Sequence, residues 1–372
     1  MSVMDLMERY ASLLIDYSAP VASGDRVLIR GTPVAEPLLR ELYAAVLRRG
    51  AEPVLRIAFG WQGPLYYEHA SDDVMARSVF EMFDAEHADV LVHVASETNT
   101  KSLSGVDPGR VSARSKVLQP VSERIMGRNP DGSEKVRWTS TLYPTDAYAQ
   151  DAEMSLPEFE RFVYASMFLE REDPMRAWKE LEATQQSLAD LLNRSSEVRI
   201  LGKDTDLTLG VSGRNAINSA GTHNMPSGEV FTAPLEDAVD GIIRFSEFPQ
   251  VYQAREVADV TLKFSAGKVI DASAAKNEEF LIAMLDTDSG SRTLGELGIG
   301  TNPGIQRSTK RILFDEKIGG SAHFALGRAY DENGGLNKSA IHWDLIKDLR
   351  EGGRIAFDGV PYAWDGERWT QA

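Results

Sequence analysis

Between residues 25 and 96, short apolar runs of strand type alternate with amphipathic stretches of helix length. No other feature of the chain constrains its fold as strongly. Strands separated by helices cannot pair as tight hairpins, so they are expected to form a parallel sheet with helices on its faces. D-R-V-L-I-R-G at 25–31 reads as the first strand, and Thr32 is placed to cap a helix that begins at Pro33 and stops at R-R-G. Residues 53–59 return as a second strand, a helix is expected over 71–87, and D-V-L-V-H-V-A-S at 89–96 is the third strand. A helix over 3–17 precedes them, with Leu6, Met7, Tyr10, Leu13 and Leu14 on one face. The first strand-to-helix turn, R-G-T-P-V-A-E-P, lacks the glycines that let backbone approach a pyrophosphate, so a dinucleotide site is not expected there.

Residues 97–150 read as less regular. They carry Lys101, Arg110, Arg114, Lys116, Arg124 and Arg128, and N-P-D-G at 129–132 marks a turn. These basic residues suit a substrate carboxylate or a solvated loop face, and the second reading is favoured. Helices are expected over 156–169 and 174–193, the latter as a connector. From Glu197 the texture changes: V-R-I-L-G-K-D-T-D-L-T-L-G-V alternates like a hairpin, and another hairpin is expected over 258–272, turning at A-G-K. A helix over 276–285 interrupts a succession of short strands. The expectation is an α/β scaffold domain with a parallel sheet at 1–195, then an α+β, β-rich domain at 196–372.

A chain of 372 residues is longer than one hydrophobic core usually organises, which agrees with two domains. The formal charge of −16 argues against nucleic-acid partners, which need a basic surface, and against anionic membranes. No apolar run approaches the ~18 residues needed to span a bilayer. The first ten residues have neither the basic start nor the apolar stretch of a signal peptide, so a soluble, cytoplasmic protein is expected. With no cysteine in the chain, disulfides, thiolate ligands and cysteine nucleophiles are excluded. A serine hydrolase is disfavoured by the lack of G-x-S-x-G.

The second half carries the chemistry. Glu229, in P-S-G-E-V-F-T-A-P, and Glu296, in L-G-E-L-G-I-G, sit among small and apolar neighbours, where a carboxylate is costly to bury without a cation. His323 follows I-G-G-S-A and precedes F-A-L-G; alone, it would read as a satisfied core histidine. His342 and Asp344 are two apart, so an extended segment presents both on one face, whereas a helix would separate them. The bland alternative makes Asp344 the cap of a helix over 345–349. Taken together, three carboxylates and two imidazoles suffice for two divalent ions, with a bridging carboxylate, as in two-metal hydrolases. Zinc, cobalt or manganese suits this mixed donor set, with magnesium as a further option.

Four separated blocks then resemble the M29 family of metallo-aminopeptidases: G-E-V-F-T-A-P at 228–234, G-E-L-G-I-G-T-N at 295–302, D-E-K-I-G-G-S-A-H-F-A-L-G at 315–327 and S-A-I-H-W-D at 339–344. The resemblance implies a cytosolic, homodimeric exopeptidase that takes peptides with a free amino terminus and uses two divalent cations. It implies metal ligation by Glu229, Glu296, His323, His342 and Asp344, and a catalytic role for Tyr330. It also gives Glu316 and Lys317 a ligand, acid–base or substrate-binding part; either Glu296 or Glu316 is expected to shuttle the proton. His223 is an optional substrate contact, with a plain turn residue favoured. The rival reading is a mononuclear iron(II) ring-cleaving dioxygenase of the 2,5-dihydroxypyridine type, in which His323, His342 and Asp344 would form a two-histidine-one-carboxylate triad.

Overall fold

The computed structural model describes residues 3–129, 131–253 and 255–372. The chain divides into two compact units: Met1–Met175 with Gly221–Pro226, and Arg176–Ala220 with Ser227–Ala372.

The first unit is built on a five-stranded sheet in the order Glu52–Ile57, Arg26–Gly31, Val90–Ala95, Arg137–Leu142 and Asn224–Met225. Every neighbouring pair in it is parallel, as the alternation of strands and helices predicts. Val27, Ile29, Val90 and Val92 are fully buried, and so are Leu38 and Leu42 of helix Glu36–Arg48. That helix is entered through a short 3-10 turn, Pro33–Ala35. Thr32 does not cap it: its hydroxyl donates instead to the carbonyl of Ser96 at 2.8 Å.

Two expectations are corrected here. The helix expected over 71–87 is two helices, Asp72–Met75 and Val79–His87. Carbonyls freed by the break, those of Met75 and Arg77, accept from the Arg114 guanidinium, which also pairs with Glu81. The stretch read as irregular contains helix Pro108–Met126 and strand Arg137–Leu142. Helix Pro108–Met126 buries only Arg114 and Val121 and carries Pro120 internally, so it shows almost no apolar stripe and includes a residue that argues against helix. Its basic residues are partly engaged within the unit, Arg110 for instance donating to the carbonyl of Ala70 at 2.6 Å.

The second unit is β-rich. A nine-stranded sheet includes the expected hairpins, Glu197–Gly202 with Thr205–Gly210 and Arg255–Ser265 with Lys268–Lys276. The second hairpin turns through Ala266 and Gly267, both at positive φ. A five-stranded antiparallel sheet runs His342–Asp348, Ser321–Gly327, Leu294–Gly300, Glu229–Thr232 and Ile217–Ser219. Helix Pro174–Arg194 sends Leu188, Ala189 and Leu192 into the same core as the strands of this unit, which begins at Arg176 near the start of the helix, whereas the sequence placed the division near residue 195, at its end.

Candidate metal centre

The period of two in a strand explains the site. In Leu294–Gly300, Leu297 and Ile299 point into the core, so Glu296, Gly298 and Gly300 share the opposite face. The neighbouring strand alternates likewise: Ala322, Phe324 and Leu326 enter the core while His323 and Ala325 face the site. On His342–Asp348, Trp343 and Leu345 go to the core and leave His342 and Asp344 on the site face. Glu229 opens its own strand, opposite Gly300, and Val230 beside it is a core residue. Four strands therefore deliver five donor side chains to one face of one sheet. Gly298, Gly300 and Ala325 are among the small residues on that face. Gly298 lies opposite His323 in register, and a Cβ there would stand 1.9 Å from His323 Nε2.

His323 Nε2 is 3.1 Å from a Glu296 oxygen and 3.4 Å from a Glu229 oxygen. His342 Nε2 is 3.8 Å from the other Glu296 oxygen and 3.6 Å from Asp344. Glu296 thus stands between the two imidazoles. Glu229, Glu296 and His323 are all buried, each offering a ligand atom within 4.8 Å of the others. His342 Nδ1 donates to the Arg328 carbonyl at 2.8 Å, which leaves the Nε2 lone pair of the neutral ring facing Glu296 and Asp344, the tautomer a metal ligand needs.

Do these residues fit a cation? One oxygen each of Glu229, Glu296 and Asp344 is buried without a hydrogen-bond partner. Orphaned carboxylate oxygens carry a desolvation cost that a cation would remove. The donor set of carboxylate oxygens and imidazole nitrogens is that of borderline divalent metals. The residues fit.

The electrostatics agree. Burial pushes Glu296 above the usual carboxylate range, and the negative charge of Asp344 adds to this against the pull of His323. Burial alone would lower His323, but its bond to Glu296 and the surrounding carboxylates raise it to about 9. Neighbouring carboxylates push both groups up, adding to burial at Glu296 and opposing it at His323. Lys317, completely buried, is the local counter-charge, 3.5 Å from Glu229 and in close contact with Glu316. Burial nevertheless drives Glu316 up to about 8, against the pull of Lys317.

Tyr330 lies beside the cluster, its ring 5.2 Å from that of His342 and 6.0 Å from that of Phe231. Burial and the nearby carboxylates hold its hydroxyl above its ordinary value, so at neutral pH it is a donor. His223 belongs to the first unit, where it pairs with Glu134 at 2.7 Å and packs on Trp138. The reading of Asp344 as a helix cap fails, because 345–348 continue the strand. Two contributors escaped the sequence reading. Gln185 donates to the backbone carbonyl of Glu229 at 2.8 Å, fixing the start of that strand. Its signal was a polar residue within the apolar stripe Trp178, Leu181, Leu188, Leu192. The other is the Arg328 carbonyl, for which no sequence signal exists.

The buried cluster of acids and imidazoles in the β-rich unit is a candidate metal centre. The family model for thermophilic metalloproteases (M29) matches residues 4–353, and the chain belongs to that family. Aminopeptidase 2 of Geobacillus stearothermophilus is 26% identical over 408 residues, covering 97% of this chain and 95% of that protein. Among solved structures, wild-type AmpT from Thermus thermophilus matches with a TM-score of 0.84 at 22% identity, over 99% of this chain and 100% of that one. The 2,5-dihydroxypyridine dioxygenase of Pseudomonas putida KT2440 is more distant, with a TM-score of 0.58 at 16% identity over 98% of this chain and 96% of that one. The fold likeness to AmpT bears out the expected parallel α/β region followed by a β-rich region.

Proposed function

We propose that the chain is an aminopeptidase that removes amino-terminal residues from peptides with a dinuclear divalent-metal centre. In this reading Glu229, Glu296, His323, His342 and Asp344 hold the ions (zinc, cobalt or manganese, with magnesium admissible). The observation that carries it is the convergence of these five side chains on a sheet face cleared by Gly298 and Gly300, with carboxylate oxygens left unpartnered. The names of the relatives support the exopeptidase part.

Bound divalent cations supply acidified water and polarise the scissile carbonyl. The protein's own groups do the rest. Glu296, placed between both imidazoles, would hold the ions together with them, which leaves Glu316 as the proton carrier. Kept protonated near neutral pH by burial, Glu316 hands its proton to the departing amine. Tyr330, a phenol at neutral pH, donates to the carbonyl oxygen as negative charge develops on it. The surplus of carboxylates favours a substrate whose free α-amine is cationic. Lys317 holds Glu229 and Glu316 in place.

The test is hydrolysis of aminoacyl-p-nitroanilides with and without a chelator. Chelation is expected to abolish cleavage, and added cobalt, zinc or manganese to restore it. Amino-acetylated peptides should resist; efficient cleavage of them would overturn the exopeptidase assignment. The dioxygenase reading needs one iron, for which Glu229 and Glu296 are surplus. Metal analysis separates the two: about two ions per chain for the hydrolase, about one for the oxygenase. We also infer a cytoplasmic homodimer, on the family resemblance alone, which sedimentation of the purified chain would check.

A further inference from the structure

The first unit contains a cavity of about 1050 Å³ whose walls all come from that unit. It opens at the carboxyl ends of strands Arg26–Gly31, Glu52–Ile57 and Val90–Ala95. The chain leaves the first of these strands, pairs the second on one side, then returns to pair the third on the other. At such a reversal, connections depart to opposite faces of the sheet and leave a crevice in which open α/β sheets bind ligands.

The chemistry of the crevice is specific. Arg30 is in register with Arg56 on one neighbouring strand and with His93 on the other, so the three side chains lie in a row on one face. All three line the cavity. Arg56 is neutralised by a two-pronged pair with Asp84, at 3.0 and 2.8 Å. Arg30 reaches that carboxylate only at 4.0 Å, and among the described residues no acceptor lies within hydrogen-bond distance of its guanidinium. Its donors are therefore left to the cavity, beside the His93 imidazole. Phe59 and Trp61, which also line the cavity, stack at 5.8 Å with an interplanar angle of 17°, although both are about half exposed. Two large aromatic rings held nearly parallel thus line the same cavity as Arg30, whose one ion pair among the described residues is the 4.0 Å contact with Asp84.

We propose that this crevice binds a small aromatic carboxylate, its anionic group on Arg30 and His93 and its ring against Phe59 and Trp61. None of its lining residues belongs to the metal cluster, and the proposal does not depend on the peptidase reading. A planar fork of N–H donors matches a carboxylate, and an aromatic ring stacks on Trp and Phe at little conformational cost. The absence of the phosphate-cradling glycines argues for a carboxylate over a nucleotide.

The experiment is calorimetric titration of the full chain with phenylacetate and with its neutral isostere phenylacetamide. Saturable binding of phenylacetate and none of phenylacetamide is expected. Arg30→Met should weaken phenylacetate binding by at least about tenfold, the loss expected for one charge-assisted contact. Because Arg30 lies within the sheet, Trp61→Ala serves as the second variant: it alters only a loop side chain and should weaken binding too, with cleavage of aminoacyl-p-nitroanilides unchanged. No saturable binding to the unaltered chain overturns the proposal. So does equal binding of the two probes, or undiminished phenylacetate binding to both folded variants.

Discussion

At Gly298 a single hydrogen atom holds open the space in which His323 meets two carboxylates. A methyl group there would stand 1.9 Å from the imidazole nitrogen and must push the ring aside. Gly298→Ala is therefore expected to fold, because Leu297 and Ile299 keep the core face, yet to lose about a hundredfold in kcat/KM. Kinetics at saturating metal, with metal content measured alongside, check this; wild-type turnover would sink the argument. Glu296→Gln is the companion case. It keeps shape and volume but removes the charge between His323 and His342, so turnover should vanish while the circular dichroism spectrum persists. Near-normal activity in a metal-loaded sample would refute the role of Glu296. Much of this was legible at the residue scale. In L-G-E-L-G-I-G an acid sits among small and apolar neighbours, where burying it calls for a cation, and I-H-W-D places two ligand types on one side of an extended segment. Gln185 and the Arg328 carbonyl were hidden, because the contacts they make join segments 44 and 14 residues apart.

Elements, not only residues, aim the donors. The strand that carries His342 and Asp344 begins just after Ser339 and Ala340, and both of these are held by Asp288. Its carboxylate accepts from the backbone N–H groups of Ala340 and Gly290, at 2.7 and 2.8 Å, and from the hydroxyls of Ser339 and Ser291, each at 3.0 Å. Chiefly through the Ala340 N–H, these bonds lower Asp288 from its ordinary 3.8 to about 2. A carboxyl depressed in the folded state contributes its stability in full above its ordinary value and loses it as pH falls toward the folded one. The midpoint of thermal unfolding should therefore fall between pH 4 and 2, and Asp288→Asn should flatten that decline while lowering the midpoint at neutral pH. Scanning calorimetry of both proteins across this range tests it, and parallel acid limbs would exclude Asp288 as a contributor. Sequence reading at this scale succeeded where side chains alternate and failed where they do not. Helix Pro108–Met126 hid because it buries almost nothing, and the break after Met75 hid because Arg114, some forty positions away, takes up the carbonyls freed there.

For the whole molecule the decisive quantity is the charge gathered in the second unit. Glu229, Glu296 and Asp344 lie within reach of one another, and one oxygen of each is buried and unpartnered. In the unfolded chain every one of these groups is hydrated and far from the others, so folding without a cation sets their desolvation and mutual repulsion against the core. A cation that binds the folded site and not the unfolded chain adds RT ln(1 + [L]/Kd), about 2.7 kcal/mol at a hundredfold excess over Kd. The unfolding midpoint should therefore rise with added zinc, cobalt or manganese and fall with chelator. Glu229→Gln with Glu296→Gln should blunt the dependence from both sides: metal no longer raises the midpoint of the variant, and chelator no longer lowers it. Differential scanning of the two proteins, each with chelator and with metal, reads both effects at once. A wild-type midpoint indifferent to metal and chelator would mean that the acids are balanced within the protein alone, and the case for a cation between them would fall with it.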